Sequence, residues 1–241
     1  MPRVVKHPDL RRSEFLDHAF GMFLTHGYDN TSLNDIIAKS GTSKGAFYHY
    51  FPSKEALLEA LADRVVRQAF EGIEHAARAP NLTPLGRLNA FLAASRRFKL
   101  EIGDDGWRVF AAMFGQENQI LYQRISGVWR AQFKPLVTEI IATGVREKVF
   151  ETFDSEGVGE VLQCLVSAGY QIITDALAAK TVKERRDSLS IFESRLRLHG
   201  IAIDRLLGLP DGSVEIIEPG YAQALMARLP PLNEAKAKAK S

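Results

Sequence analysis

Cysteine is nearly absent: Cys164 stands alone in 241 residues, which excludes an internal disulfide and, by itself, a cysteine metal site. Its setting, Val161-Leu162-Gln163-Cys164-Leu165-Val166, reads as a helical apolar run, so the thiol is expected as a small core residue. Long apolar stretches are missing too. No window holds 18 uninterrupted apolar residues, and the start Met-Pro-Arg-Val-Val-Lys lacks the apolar centre of an export signal. Neither a membrane span nor export is expected, and the cytoplasm is the default compartment. Charge of one sign is scarce as well: 31 Lys plus Arg against 29 Asp plus Glu leaves +2, so total charge does not point to nucleic acid. His7, His18, His26, His75 and His199 show no metal-ligand spacing such as H-E-x-x-H, so no metal is expected, and no cofactor motif is present. There is no internal repeat and no series of alternating strands.

What the chain does have is helical periodicity. Phe15, Leu16, Ala19, Phe20, Phe23 and Leu24 recur in pairs every four residues, which predicts an amphipathic helix over 9–26, ended by Gly27. Ser32, with Asp35 three residues on, is a capping-box start for a short helix ending near Ser40. Gly41 supplies a turn, a third short helix runs from about 43 to 51, and Ser53 caps a fourth that continues through Leu57, Leu58, Leu61 and Val66. Beyond Pro80 and Pro84 the pattern predicts helices over 85–102, 106–117 and 119–148, the last bent at Pro135, then 156–179 and 185–208. Residues 209–241 read as a loose tail with one short helix near 221–228. Locally, Arg3, Lys6, Arg11 and Arg12 against Asp9 make the first 12 residues a basic arm of +3.

Gly41-Thr42-Ser43-Lys44-Gly45 poses a question, because it matches G-x-S-x-G, the setting of a hydrolase nucleophile. That setting needs a buried strand leading into the serine. Here the lead-in, residues 34–40, is helical in character, and Asp175 and His199, nominal triad partners, each lie in a long helical pattern. The alternative is a helix-turn-helix, two short helices joined by a turn containing glycine, whose second helix enters the major groove. Ile36, Ile37 and Phe47 would then pack the helices together. Thr42, Ser43, Lys44, Ala46, Tyr48, His49 and Tyr50 would be divided between surface and packing.

The run Gly27-Tyr28, Thr31-Ser32-Leu33, Asp35-Ile36, Gly41, Ser43-Lys44-Gly45, Phe47-Tyr48-His49-Tyr50-Phe51, Ser53-Lys54-Glu55 and Leu57-Leu58 resembles the DNA-binding domain of TetR-type transcriptional regulators. The likeness covers about residues 9–60. A weaker one, Gly144-Val145-Arg146-Glu147-Lys148-Val149-Phe150 ahead of two long helices, resembles the family's ligand-binding and dimerisation domain. Ile37, Thr42 and Lys148 depart from the family pattern, the last standing where glycine is common. The resemblance implies an all-α chain: a three-helix DNA-binding domain over 1–54, a helical effector-binding and dimerisation domain over 55–208 reached by a long helix, and a tail over 209–241. It implies a non-enzymatic, ligand-responsive regulator, expected to be a repressor. Its expected partners are a double-stranded DNA operator read as an inverted repeat, a small hydrophobic or aromatic effector, and a second copy of the chain. The chief alternative of another class is an all-helical small-molecule-binding or interaction protein without DNA binding.

Carried over by position, Ser32, Ser43, the Gly45 amide, Tyr48, Tyr50 and Lys54 form the implied phosphate-contacting group, which sets register without reading sequence. Lys44, Ala46 and His49 are the candidates for base edges, and Thr42 stands between the two groups. Gly45 reads either as a place where backbone nears DNA or as a helix-start irregularity, and the rings of Tyr48 and Tyr50 as DNA contacts or as half-buried packing. Phe98, Trp107, Phe110, Met113, Phe114, Glu117, Tyr122 and Trp129 are the candidate effector pocket, apolar with few polar groups. Val158, Leu162, Leu165, Gly169 and Ile172 on one helix, with Phe192, Leu196 and Ile203 on the next, are the candidate dimer face, the small residues 167–169 allowing close approach.

Overall fold

The computed structural model describes residues 7–101 and 118–229, and among them every regular element is a helix, with no strand. In chain order these are α1 (Pro8–His26), α2 (Leu33–Ser40), α3 (Lys44–Tyr50), α4 (Lys54–Ala77), α5 (Pro84–Glu101), α6 (Gln119–Arg146), α7 (Ser155–Ser167), α8 (Gly169–Ala178), α9 (Val182–Leu206) and α10 (Tyr221–Arg228). The helix expected over 106–117 lies outside the described residues. Starts follow capping chemistry. Pro8 opens α1, where its missing N–H costs nothing. The hydroxyl of Ser53 accepts from the Ala56 N–H at 3.1 Å and starts α4. Thr181 and Glu184 form a reciprocal capping box that starts α9 at Val182, three residues earlier than the apolar pattern suggests. α6 continues through Pro135 as one helix.

Two compact units emerge: among the described residues, one holds 7–67 and 118–129, the other 68–101 and 130–229. The first unit therefore extends past residue 54 into α4 and includes the start of α6, whose Leu121 and Ile125 are buried. Its core is Phe15, Leu16, Phe23, Ile36, Phe47, Phe51, Leu57 and Leu61, all buried almost completely. In the second unit Phe133 of α6 is sandwiched by Phe70 at 5.0 Å and Phe91 at 5.4 Å, ring centre to ring centre. Here Gly144 has a strict packing duty. A Cβ there would fall 2.1 Å from the Phe150 ring, so only glycine lets the turn after α6 fold back on the helix. Both Val149 and Phe150 donate their N–H groups to the Gly144 carbonyl, and Lys148, just before them, adopts φ +58°. That left-handed φ explains the departure noted at Lys148: glycine suits the position because it carries no Cβ penalty.

Three expectations are corrected. The helix expected over 156–179 is two, α7 and α8, interrupted at Ala168. Residues 167–169 thus break a helix instead of offering a smooth seat for a neighbour. Cys164 is exposed, because it falls on the face of α7 opposite Leu162, which takes the core. Most substantially, the loose tail from 209 does not exist over 209–229. Buried Asp204 accepts the N–H groups of Gly212 at 2.6 Å and Val214 at 2.7 Å. Asn89 of α5 donates to the Ser213 carbonyl at 2.9 Å and accepts from the Glu215 N–H at 3.0 Å, the pair of bonds a neighbouring strand would make. Buried Arg96 donates to the carbonyls of Glu215 and Ile216 and to the Glu218 carboxylate at 2.6 Å. Val214, Ile216, Tyr221, Leu225 and Leu229 are buried, so this segment is a strap across α5 and α9. Burial pushes the Tyr221 phenol up to about 12, so it stays neutral under the strap.

Two substitutions test this description. Leu225→Ala should cost about 2–5 kcal/mol in denaturant unfolding, the usual loss for a fully buried leucine, whereas a loose tail would lose nothing measurable. Lys148→Gly should raise stability by up to about 1 kcal/mol, since relief of the left-handed strain slightly exceeds the added chain entropy of glycine. A destabilised Lys148→Gly variant would contradict the account of that turn.

Candidate nucleic-acid interface

α3 is only seven residues long and could not persist alone, so its shape depends on what grips its inner face. Positions 47, 50 and 51 form that face. The Phe15 ring of α1 lies 4.9 Å from Phe47, 5.5 Å from Tyr50 and 6.5 Å from Phe51, and Phe47 meets Phe51 at 5.9 Å. These tilted and edge-on contacts hold the helix against α1 in one rotation. With 47, 50 and 51 turned inward, helical spacing leaves Gly45, Tyr48 and His49 outward, while Lys44, on the stripe of 47 and 51, is open because it is the first residue of α3; all four are exposed. Tyr48 is a large aromatic side chain with 44 % of its surface open to solvent.

The turn before α3 is made by Gly41, whose φ of +61° caps α2 in the left-handed conformation that glycine adopts without cost. Thr42 follows, half-buried. Ser43 then caps α3, its Oγ accepting the Ala46 N–H at 3.3 Å, which leaves the hydroxyl hydrogen free to donate outward. This answers the hydrolase question: Ser43 is a helix cap preceded by helix α2, with no strand leading into it. Ala46 is half-buried, beside the inner face. Nothing lies within 4 Å of where a Gly45 side chain would begin. The fold itself does not require glycine at position 45, which favours the reading in which something external needs the space.

Ser32 is more committed than its sequence position implies. Its N–H and hydroxyl both donate to Asp35 Oδ2, at 2.9 and 2.6 Å, and its Oγ accepts the Asp35 N–H at 3.2 Å. The two bonds from Ser32 hold the Asp35 carboxyl below the usual carboxylate range, so the box stays closed at neutral pH. What this end of α2 offers a phosphate is chiefly the unpaired N–H groups of its first turn. Lys54, at the start of α4, places its Nζ 4.1 Å from the centre of the Tyr28 ring. Burial and the nearby Glu55 hold the Tyr28 phenol above its ordinary value, so the ring remains a neutral platform for the ammonium.

The structure thus brings Ser32, Ser43, Lys44, Gly45, Tyr48, His49 and Lys54 into the first unit on or beside α2, α3 and the start of α4, with Tyr50 half-committed to Phe15. The effector candidates are less well placed. Trp107, Phe110, Met113, Phe114 and Glu117 lie outside the described residues, while Phe98, Tyr122 and Trp129 are half-buried, Phe98 in one unit and the other two in the other. The dimer face needs correction. Val158, Leu162, Phe192, Leu196 and Ile203 are buried within the single chain and build its own core, Leu165 and Ile172 are half-buried, and Gly169 opens α8. Apolar periodicity marks the buried stripe. Outward apolar residues include Ile191, Leu198 and Leu206 on α9, with Val182 in its first turn, and Val161 on α7, 41–54 % exposed, and the seven- and eight-residue spacing of 191, 198 and 206 makes those three one stripe.

Residues 15–61 match the family model described as bacterial regulatory proteins, tetR family. The HTH-type transcriptional regulator BetI of Burkholderia lata is 30% identical over 95 residues, 39% of this chain and 48% of that protein. The chain spans less than half the length of the curated relatives it matches. Among solved structures, a TetR-family transcriptional regulator from Pectobacterium atrosepticum superimposes with a TM-score of 0.57 at 18% identity, over 85% of this chain and all of that one. RolR in complex with resorcinol does so at 0.53 and 18% identity, over 93% of this chain and 97% of that one. At such identities the likeness establishes the all-helical fold across most of the chain.

Proposed function

We propose that the chain, whose residues 15–61 match the tetR family of bacterial regulatory proteins, is a ligand-responsive, DNA-binding transcriptional repressor acting as a homodimer in the cytoplasm. The observation that carries the reading is α3 itself. A seven-residue helix is clamped by Phe15 from inside and leaves Lys44, Gly45, Tyr48 and His49 exposed, a polar surface whose side chains form no ion pair among the described residues. Lys44 can reach guanine O6 or N7 and His49 can donate or accept at a base edge, while Ala46 and Thr42 lie nearer the packed side. Ser43, Tyr48 and Lys54 face phosphates, and Gly45 lets the α3 backbone approach the DNA closely.

A two-fold dimer reads an inverted repeat, its two α3 helices separated by about 34–36 Å, one helical turn. The second copy docks on the outward stripe of α9, Ile191, Leu198 and Leu206, together with Val161 of α7. The effector is a small hydrophobic or aromatic molecule. This rests on the aromatic content of residues 98–129, and the resorcinol bound by RolR, a protein of similar fold, is a ligand of that class. Effector and DNA then oppose each other through their differential affinity for two arrangements of the dimer.

Selection of bound sequences from random duplexes, followed by titration of the winner, tests the reading. Gly45→Ala should stabilise the fold by about 0.5–1 kcal/mol, because a helical glycine with open space around it gains from a methyl group. The same variant should bind the selected DNA more weakly, and a variant that is both more stable and unimpaired in binding would remove the close-approach role of Gly45. Lys44→Ala and His49→Ala should each relax preference at particular bases, by about 1–3 kcal/mol per lost contact. For assembly, Leu198→Glu should yield a folded monomer by sedimentation while Phe192→Ala should lower stability. If Leu198→Glu remained dimeric at micromolar concentration, the α9 stripe is not the interface.

A further inference from the structure

Three cations of the first unit are neutralised inside it. Arg64 meets Asp17 at 2.8 Å, Arg124 meets Glu59 at 3.2 Å and Arg11 meets Glu14 at 3.8 Å. Two cations beside α3 are held differently. Lys54 lies over Tyr28, and the Arg12 guanidinium lies 5.3 Å from the centre of the Phe51 ring, neither forming an ion pair among the described residues. An aromatic face restrains a cation by about 0.5–1 kcal/mol at an exposed site, yet it carries no net charge, so the full positive charge remains available to a third party. A carboxylate would hold the side chain as well and cancel its field.

A helix end makes one placement costlier. Lys54 is the first residue of α4 and sits at the positive end of that helix, where the dipole opposes it, while Arg12 lies beyond the first turn of α1, where that effect has faded. Phe51 is itself the C-cap of α3 and 2 % exposed, so its ring is fixed, and Arg12 is thereby tethered at the end of α3 away from Ser43. Arg11, one residue earlier, faces Glu14 instead, so the distinction is specific to position 12.

Resting on the DNA-binding reading above, we infer that Arg12 is a phosphate-binding residue, positioned on the Phe51 ring at the C-terminal end of α3 as Lys54 is positioned on Tyr28. A planar guanidinium pre-oriented in this way can take a phosphate with two parallel N–H bonds. Ser43 at one end of α3 and Arg12 at the other then hold the reading helix at both ends, which fixes its pitch in the groove without contributing sequence preference.

The test measures binding of the full chain to a labelled mixed-sequence duplex over a range of salt. Arg12→Gln should lower the slope of log affinity against log salt by about 0.9, the value for one lost phosphate contact. Arg12→Lys should retain most of the slope. Arg67→Gln removes an exposed cation of α4 that has no aromatic platform and controls for net charge. Phe51→Leu should weaken binding at fixed salt, while Phe51→Tyr, which keeps the ring face, should not. Should Phe51→Leu fail to fold, the Arg12 variants still decide. If Arg12→Gln behaves as Arg67→Gln does, the inference is overturned with the DNA reading intact. If the unmutated protein shows no salt-sensitive binding to the duplex, the DNA reading itself falls.

Discussion

The constraint on which the interface depends is the insertion of Phe15 between α1 and the inner face of α3. Seven residues cannot nucleate and hold a helix in water, because the first turn fixes several dihedrals for one hydrogen bond. Phe15, Phe47, Tyr50 and Phe51 supply the missing free energy by burial and ring contact, on the order of 1.5–3 kcal/mol for each fully buried ring. The cluster also sets rotation. Were α3 turned by one residue, Tyr48 would face inward and Phe47 outward, and the polar surface would be lost. Stability of the unit and orientation of its outward residues therefore come from the same contacts.

Around that clamp the short helices are closed by side chains that also face outward. Ser43 caps α3 with its lone pair and keeps its proton, whereas Ser32 spends its proton on Asp35. Two serines that look alike in sequence thus differ in what they can give a phosphate. The same economy governs the cations: those joined to carboxylates brace the unit, and those resting on rings keep their charge.

In the second unit α9 serves two surfaces at once. Its Phe192, Leu196 and Ile203 face inward, while Gly200, where a Cβ would lie 3.1 Å from the Val214 carbonyl, admits the strap. Asp204 binds the strap's N–H groups, and Asn89 and Arg96 hold its other edge from α5. Residues 209–229 are thereby structural, joined by hydrogen bonds to both α5 and α9.

Local chemistry was legible where it acts within a few residues. The Ser32 and Ser53 caps, the Gly41 turn and the helical periodicity led to the helix-turn-helix, because caps, turns and period depend on neighbours in the chain, while the roles of the α3 side chains came from the family resemblance. Other features were decided only by the tertiary structure. Periodicity shows that 158, 162, 192, 196 and 203 form apolar stripes but not which of two faces is covered inside the protomer, and it is the weaker stripe, 191, 198 and 206, that lies outside. The strap was hidden because 209–220 has no period at all, its place being set by Asn89, Arg96 and Asp204 from distant helices. The platforms under Arg12 and Lys54 were equally out of reach, since a ring and a cation 39 or 26 residues apart meet only after α1, α3 and α4 have packed.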